Sequence, residues 1–206
     1  ILIIEDNDDL RNFLTVRLKN TVRIYSSADG FDGIKMAFDH IHDLVICDVV
    51  IPNKDGYQVC HALKTDIRTS HIPVVLLTAR GSTEHQITGV KSMADYYITK
   101  PFSPQFLDEI IRNLLKNREV LKEHYTSAYP VEIKLASPGK LDKRFLNAFT
   151  SLLEENISNE QLNIGDICKH IGISRVQLYR KLKALLGCGV NDYILNVRLN
   201  KAKYLL

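Results

Sequence analysis

Long apolar runs are missing from this 206-residue chain: none reaches membrane-spanning length, and the first residues do not read as a secretory leader. Cysteine is scarce. The four thiols (Cys47, Cys60, Cys168 and Cys188) form no CxxC pair or other metal-ligand spacing, which argues against a disulfide framework or a zinc site and for thiols in a reducing cytoplasm. A strong net charge is also lacking, at +3, but the charge is unevenly spread. Residues 167–206 hold eight Lys/Arg against one acid, Asp192, whereas residues 1–139 hold sixteen against eighteen. The basic C-terminal stretch is where an acidic partner would bind, nucleic acid before membrane. No initiator Met precedes the strand-like Ile1–Ile4, so a piece of a longer protein is expected.

What is present is organised around Leu44–Gly56, an apolar run carrying one carboxylate, Asp48, followed by Pro52 and Gly56. Such a run fits a strand buried on both faces. The Pro and Gly end it at or just after Asp48, placing the carboxylate at the carboxyl edge of a sheet. Alone, Asp48 reads equally well as a strand-end cap.

Further strands are expected at Ile1–Ile4, Val22–Tyr25, Val74–Leu77 and Tyr96–Thr99. Helices are expected after Asp9 (Leu10, Phe13, Leu14 and Leu18 inward), over Gly30–Asp39 (Phe31, Ile34 and Phe38 inward), over Tyr57–Thr65, and from Thr83 to Met93. The last of this series runs from an N-capping Ser103 with Pro104 to about Glu123. Strand–helix alternation predicts a parallel, doubly wound sheet. Along its carboxyl edge would lie Glu5, Asp6, Asp48, Thr78 and Lys100. Three carboxylates gathered there call for a cation; hard oxygen donors partly open to water suit Mg²⁺, and a Lys beside a Thr hydroxyl suits a phosphoryl group. Taken singly, Thr78 reads as a strand-end hydroxyl, Lys100 as a solvated cation and Tyr97 as core filling, while Asp8 and Asp9 favour a helix dipole.

Residues 1–123 resemble the receiver domains of two-component response regulators. The resemblance rests on Glu5-Asp6, the Asp48–Gly56 run, Leu77-Thr78-Ala79, and Ala94 through Phe102 with Lys100-Pro101. It implies a flavodoxin-like α/β domain with a parallel five-stranded sheet. Asp48 would be the phosphoacceptor, attacking a phosphohistidine of a kinase supplied in cis or trans. Glu5, Asp6, Asp48 and the Val50 carbonyl would hold Mg²⁺. Thr78 and Lys100 would contact the phosphoryl oxygens, and Tyr97 would be the switch aromatic. The first acid is Glu where many members have Asp.

Residues 124–141, with two Pro, a Gly and alternating Val131, Ile133 and Leu135, read as a linker. A small all-α domain is expected over 142–206. Asp142 would cap a helix reaching about Ile157; Ile164–Ile171 and Arg175–Leu186 would flank Gly172-Ile173-Ser174, a helix-turn-helix spacing. Leu178, Leu182 and Leu185 form the inward stripe of the second helix. Val176, Tyr179, Arg180 and Lys183 fall on its far face, beside Ser174 and Arg175, as a recognition helix would require. Ile173-Ser174-Arg175, Leu178 through Lys183, Gly187, Asp192-Tyr193-Ile194 and Arg198 through Leu206 resemble the first half of an AraC-type DNA-binding domain, with Val190 where that family usually has Pro. The second helix-turn-helix unit is missing.

The resemblances imply a phosphorylation-switched transcription regulator similar to the C-terminal end of a hybrid sensor, cytoplasmic within a parent anchored in the inner membrane. The fragment itself would be a phosphoacceptor rather than an enzyme, with no small-molecule substrate, and would dimerise on activation and bind DNA. Stand-alone regulators share this domain order, and an adaptor that never binds DNA is a further alternative. A haloacid-dehalogenase-type hydrolase would need an acid at position 50, which is Val; a flavodoxin would need a Gly/Ser/Thr-rich phosphate loop where this chain is acidic.

Overall fold

The computed structural model describes residues 1–40, 42–79, 93–127, 139–157, 159 and 162–205. The helix expected from Thr83 to Met93, all but Met93 itself, and the alternating Val131–Leu135 run lie outside the described residues. Contacts divide the chain into Ile1–Leu115 and Lys116–Leu206.

In the first unit, β1 (Leu2–Ile4), β2 (Tyr25–Ser27), β3 (Val45–Asp48), β4 (Val74–Ala79) and β5 (Tyr96–Lys100) form one parallel sheet in the order β2-β1-β3-β4-β5. Successive side chains of a strand point to opposite faces, and here both faces are covered. Leu2, Ile4, Val45, Cys47, Val74 and Leu76 pack on the side of α2 (Gly30–Asp39) and α3 (Gly56–Thr65). Ile3, Ile46, Val75, Leu77 and Ile98 pack on the side of α1 (Asp8–Leu18) and α4 (Pro104–Ser127), against Leu14, Leu18, Leu107 and Ile111. A strand buried on both sides must be apolar throughout, which is why the central strands read as continuous apolar runs.

Side-chain caps fix where the helices begin. Asn7 accepts from the Leu10 N–H, Asp29 from Phe31 and Asp32, and Asp55 forms a reciprocal capping box with Gln58. Helix α4 starts at Pro104 as expected, although the Ser103 hydroxyl donates to the Gln105 side chain.

Several expectations shift. β2 begins at Tyr25 rather than Val22; Val22 and Ile24 pack against the core without joining the ladder. Phe31 and Phe13 do not turn inward but are 61% and 44% exposed. Gly30, Gly33 and Ala37 are the buried residues of α2, with Ile34 and Phe38 packing partly buried against the core as read; at Gly33 the helix comes so close to β1 that a Cβ would lie within 2.4 Å of Ile4. Both ends of the connector expected at 124–141 are helical, since α4 reaches Ser127 and the next helix starts at Lys140. No breaker precedes Pro130, so nothing in the sequence stops α4 at Glu123.

The described part of the second unit beyond α4 is all helical: α5 (Lys140–Glu155), α6 (Ile164–Ile171), α7 (Arg175–Leu186) and α8 (Val190–Leu205). Gly172 ends α6 in the left-handed conformation at φ 77°, a position that favours glycine. Ser174 opens α7 with a capping box to Gln177. Leu178 and Leu182 are buried as read, but the stripe continues through Leu186, with Leu185 half-buried. Val190 is buried at the first turn of α8. Asp142 is not the cap of α5. It lies within the first turn, buried, and its carboxylate accepts from the Lys181 ammonium at 2.6 Å.

Candidate functional site

The parallel sheet brings the ends of β1, β3, β4 and β5 to one edge, and the strand order reverses between β1 and β3, where open α/β sheets place their crevice. Glu5 follows β1 directly. Its N–H donates to the Ser27 carbonyl at 3.1 Å, extending the ladder, and its side chain is 1% exposed. Asp6, next along, is exposed. Asp48 ends β3 and is 7% exposed.

Lys100 ends β5, opposite Ala79 in register, one step beyond the Thr78–Thr99 pair. Its ammonium donates to Glu5 Oε2 at 2.8 Å and lies 3.0 Å from Asp48 Oδ2. One cation thus bridges two buried carboxylates. Burial pushes the Glu5 carboxyl above its ordinary value; the Lys100 hydrogen bond opposes that rise and the Asp48 charge adds to it. For Lys100, burial works against the charge, but the bonds to Glu5 and Asp48 outweigh it and raise its pKa.

Carboxylate oxygens of Glu5, Asp6 and Asp48 all lie within 4.8 Å of one another, a hard-donor cluster of the kind that holds a divalent cation. One ammonium does not balance three carboxylates. The donor chemistry and the charge deficit both fit Mg²⁺.

The loop after Asp48 is closed at its base by Gly56, whose N–H donates to the Val49 carbonyl at 2.9 Å. A Cβ at Gly56 would meet the Asp48 carbonyl oxygen at 2.3 Å, so only glycine allows this approach. Val50 sits in this loop with its side chain 66% exposed. Thr78 is half-buried, and Tyr97 on β5 is 37% exposed. Tyr57 at the start of α3 has its hydroxyl pKa raised by burial, with Tyr97 and Asp55 adding to it.

One contributor escaped the sequence reading. Arg11 donates to the Glu5 carbonyl at 2.7 Å and the Asp6 carbonyl at 3.3 Å, and also pairs with Asp8. It fixes the backbone that presents both acids. The signal available was a cation one turn into the helix that follows an acidic run.

In the second unit, Ser174, Arg175, Val176, Tyr179 and Lys183 are exposed and Arg180 is half-buried. Lys181, between Arg180 and Leu182, is 1% exposed and 5.1 Å from the Phe145 ring centre. It belongs to the interior, not to the basic face.

Residues 1–112 match the family of response regulator receiver domains. Histidine kinase P4 of Formosa agariphila is 37% identical over 209 residues, covering all of this chain and 15% of its own length. The transcriptional regulatory protein AfsQ1 of Streptomyces coelicolor is 37% identical over 120 residues, covering 58% of this chain and 52% of itself. The signal receiver domain of a signal transduction histidine kinase from Syntrophus aciditrophicus is 27% identical with a TM-score of 0.54, over 66% of this chain and 97% of that one. The chain thus spans about half, or far less, of the length of these curated relatives. Through its first 112 residues, the chain belongs to the response regulator receiver domain family.

Proposed function

We propose that this chain is a phosphorylation-switched regulator whose acceptor is the Asp48 carboxylate. The observation that carries the reading is the bridge from Lys100 to Glu5 and Asp48 beside the exposed Asp6. An Asp48 oxygen attacks the phosphorus of a phosphohistidine on a kinase; the new O–P bond forms as the N–P bond breaks, and the imidazole leaves with the electron pair. Glu5, Asp6, Asp48 and the Val50 carbonyl would hold Mg²⁺, which supplies charge neutralisation for the phosphoryl oxygens. Lys100 and the Thr78 hydroxyl contact those oxygens, and Tyr97 repacks as Thr78 moves. The added charge of roughly −2 then biases dimerisation or domain contact. The chain acts as acceptor, not as an enzyme.

The second unit binds DNA as the first half of an AraC-type helix-turn-helix domain, presenting α7. In support, α6 and α7 flank a three-residue turn, and Arg175, Val176, Tyr179 and Lys183 are exposed. The parent is a hybrid kinase and regulator. The match to histidine kinase P4 runs the full length of this chain, whereas that to AfsQ1 covers 58% of it, which favours a hybrid over a stand-alone regulator.

The test adds beryllofluoride and Mg²⁺ to wild type and Asp48→Asn, following mass in solution and DNA retention at low salt. A response confined to wild type is expected. No response from wild type, with Mg²⁺ bound, overturns the acceptor reading. Beryllofluoride-dependent dimerisation without DNA retention would leave the adaptor alternative standing.

A further inference from the structure

The loop that carries Val50 is held from a second direction, by residues outside the acidic edge. At its base Gly56 folds back onto Val49; its tip, Pro52–Lys54, meets the first turn of α2. The Gly30 N–H donates to the Pro52 carbonyl at 3.2 Å. A Cβ at Gly30 would stand 2.0 Å from the Lys54 carbonyl oxygen, a clash with backbone rather than with a flexible side-chain end. Beside it, Asn53 is held at φ 64°, in the left-handed region. The Asp29 carboxylate caps α2; the backbone N–H groups it accepts from hold its pKa below the ordinary value, and the Asn53 side chain nearby adds to that lowering.

We propose that Gly30 and Asp29 are positioning residues for the phosphoacceptor loop: α2 docks its bare first turn on the loop tip, sets the Asp29 carboxylate near Asn53, and so fixes where the Val50 carbonyl points. The inference rests on the reading of that carbonyl as a metal donor. Mg²⁺ tolerates little error in donor position, with bonds of about 2.0–2.1 Å in near-octahedral geometry. To reach ordinary contact from 2.0 Å, a methyl at position 30 must displace the loop or the helix by more than about 1 Å, enough to cost on the order of a hundredfold in a positioned site. A purely structural role for Gly30 and Asp29 would lower stability and leave metal affinity alone.

The experiment titrates the full chain with MgCl₂ by calorimetry and measures urea unfolding in parallel. Gly30→Ala is expected to weaken Mg²⁺ binding tenfold or more. Ile111→Ala, a core truncation on the opposite face of the sheet, should lose stability but keep its affinity within about twofold; affinity loss there as large as in Gly30→Ala overturns the proposal. Wild-type affinity in Gly30→Ala also overturns it. Should Gly30→Ala fail to fold, the Asp29 variants decide. Asp29→Ser keeps a good capping residue but takes the carboxylate away from Asn53, and should bind Mg²⁺ several-fold more weakly. Asp29→Asn keeps the acceptor oxygen and should restore binding. Unchanged affinity in Asp29→Ser overturns the clamp. If wild type binds no Mg²⁺, the metal reading fails on its own. The clamp is then judged from amide resonances of residues 48–56 in Asp29→Ser: shifted resonances support it and unmoved ones sink it.

Discussion

Among the described residues, each unit sets a lysine against buried carboxylate, and the two arrangements are opposites. In the second unit Lys181 and Asp142 lie 2.6 Å apart, with side chains 1% and 4% exposed. In the first, Lys100 is 27% exposed and divides itself between Glu5 and Asp48, with Asp6 nearby and open to water. The sealed pair is closed to any ligand from solvent. The cluster at the sheet edge gathers three acids around one bridging ammonium and borders water, which is what the proposed metal and phosphoryl donor would require. The residue types are nearly the same; access to water separates the two arrangements.

The largest expected effect tests the sealed pair. Lys181→Ala or Asp142→Ala should each cost about 3–5 kcal/mol by leaving an uncompensated buried charge, whereas Lys181→Met with Asp142→Leu should recover most of that loss. Lys100→Ala should cost less, on the order of 1–2 kcal/mol, because Lys100 borders solvent and water can take the place of its ammonium beside the two carboxylates. Urea unfolding of these variants would break the comparison if both lysines cost the same.

Next comes the metal. Mg²⁺ at a hundred times its Kd should stabilise the first unit by about 2.7 kcal/mol, read as a rise in Tm. Asp48→Asn should remove that gain, and an undiminished gain would place the metal elsewhere.

His42 offers a third way of burying an ionisable group, by keeping it neutral. It is 1% exposed, its Nε2 bonds the Met36 carbonyl, and burial lowers its pKa from 6.5 to about 4. Between those values the unfolded chain binds the extra proton, so stability should fall as pH drops from 6.5 toward 4, by up to about 1.4 kcal/mol per pH unit. His42→Phe should flatten that limb in unfolding measured across the same range.

The smallest effect belongs to the partly exposed Arg17–Asp108 pair joining α1 to α4, with side chains 32% and 30% exposed. Arg17→Ala should lower stability only slightly, and less still in high salt.

How much was legible follows the same division. The bounds of α2, α6 and α7 coincide with those read from periodicity and caps, because Gly30, Gly172 and Ser174 act locally. The acids, Thr78 and Lys100 could be placed on one edge because parallel topology alone carries strand ends there. Long-range partners could not be read. Asp142 looks like a cap by position, and only folding shows that Lys181, thirty-nine residues away, claims it. Phe31 fits an inward stripe by spacing, but the close approach of α2 to Ile4 is made through Gly33, and Phe31 is left 61% exposed while Ile34 and Phe38 pack on the core. Gly30 reads as the start of a helix, and neither it nor Asp29 carries a local sign of the loop beside them.

The bond between Glu5 and Lys100 joins residues ninety-five positions apart. On a ribosome adding about 5–20 residues per second, Glu5, Asp6 and Asp48 emerge seconds before the cation that bridges two of them. A chain arrested before β5 keeps three acids and lacks the ammonium that bridges two of them. On the proposed reading, competence to accept a phosphoryl group therefore waits for β5, late in the synthesis of this unit.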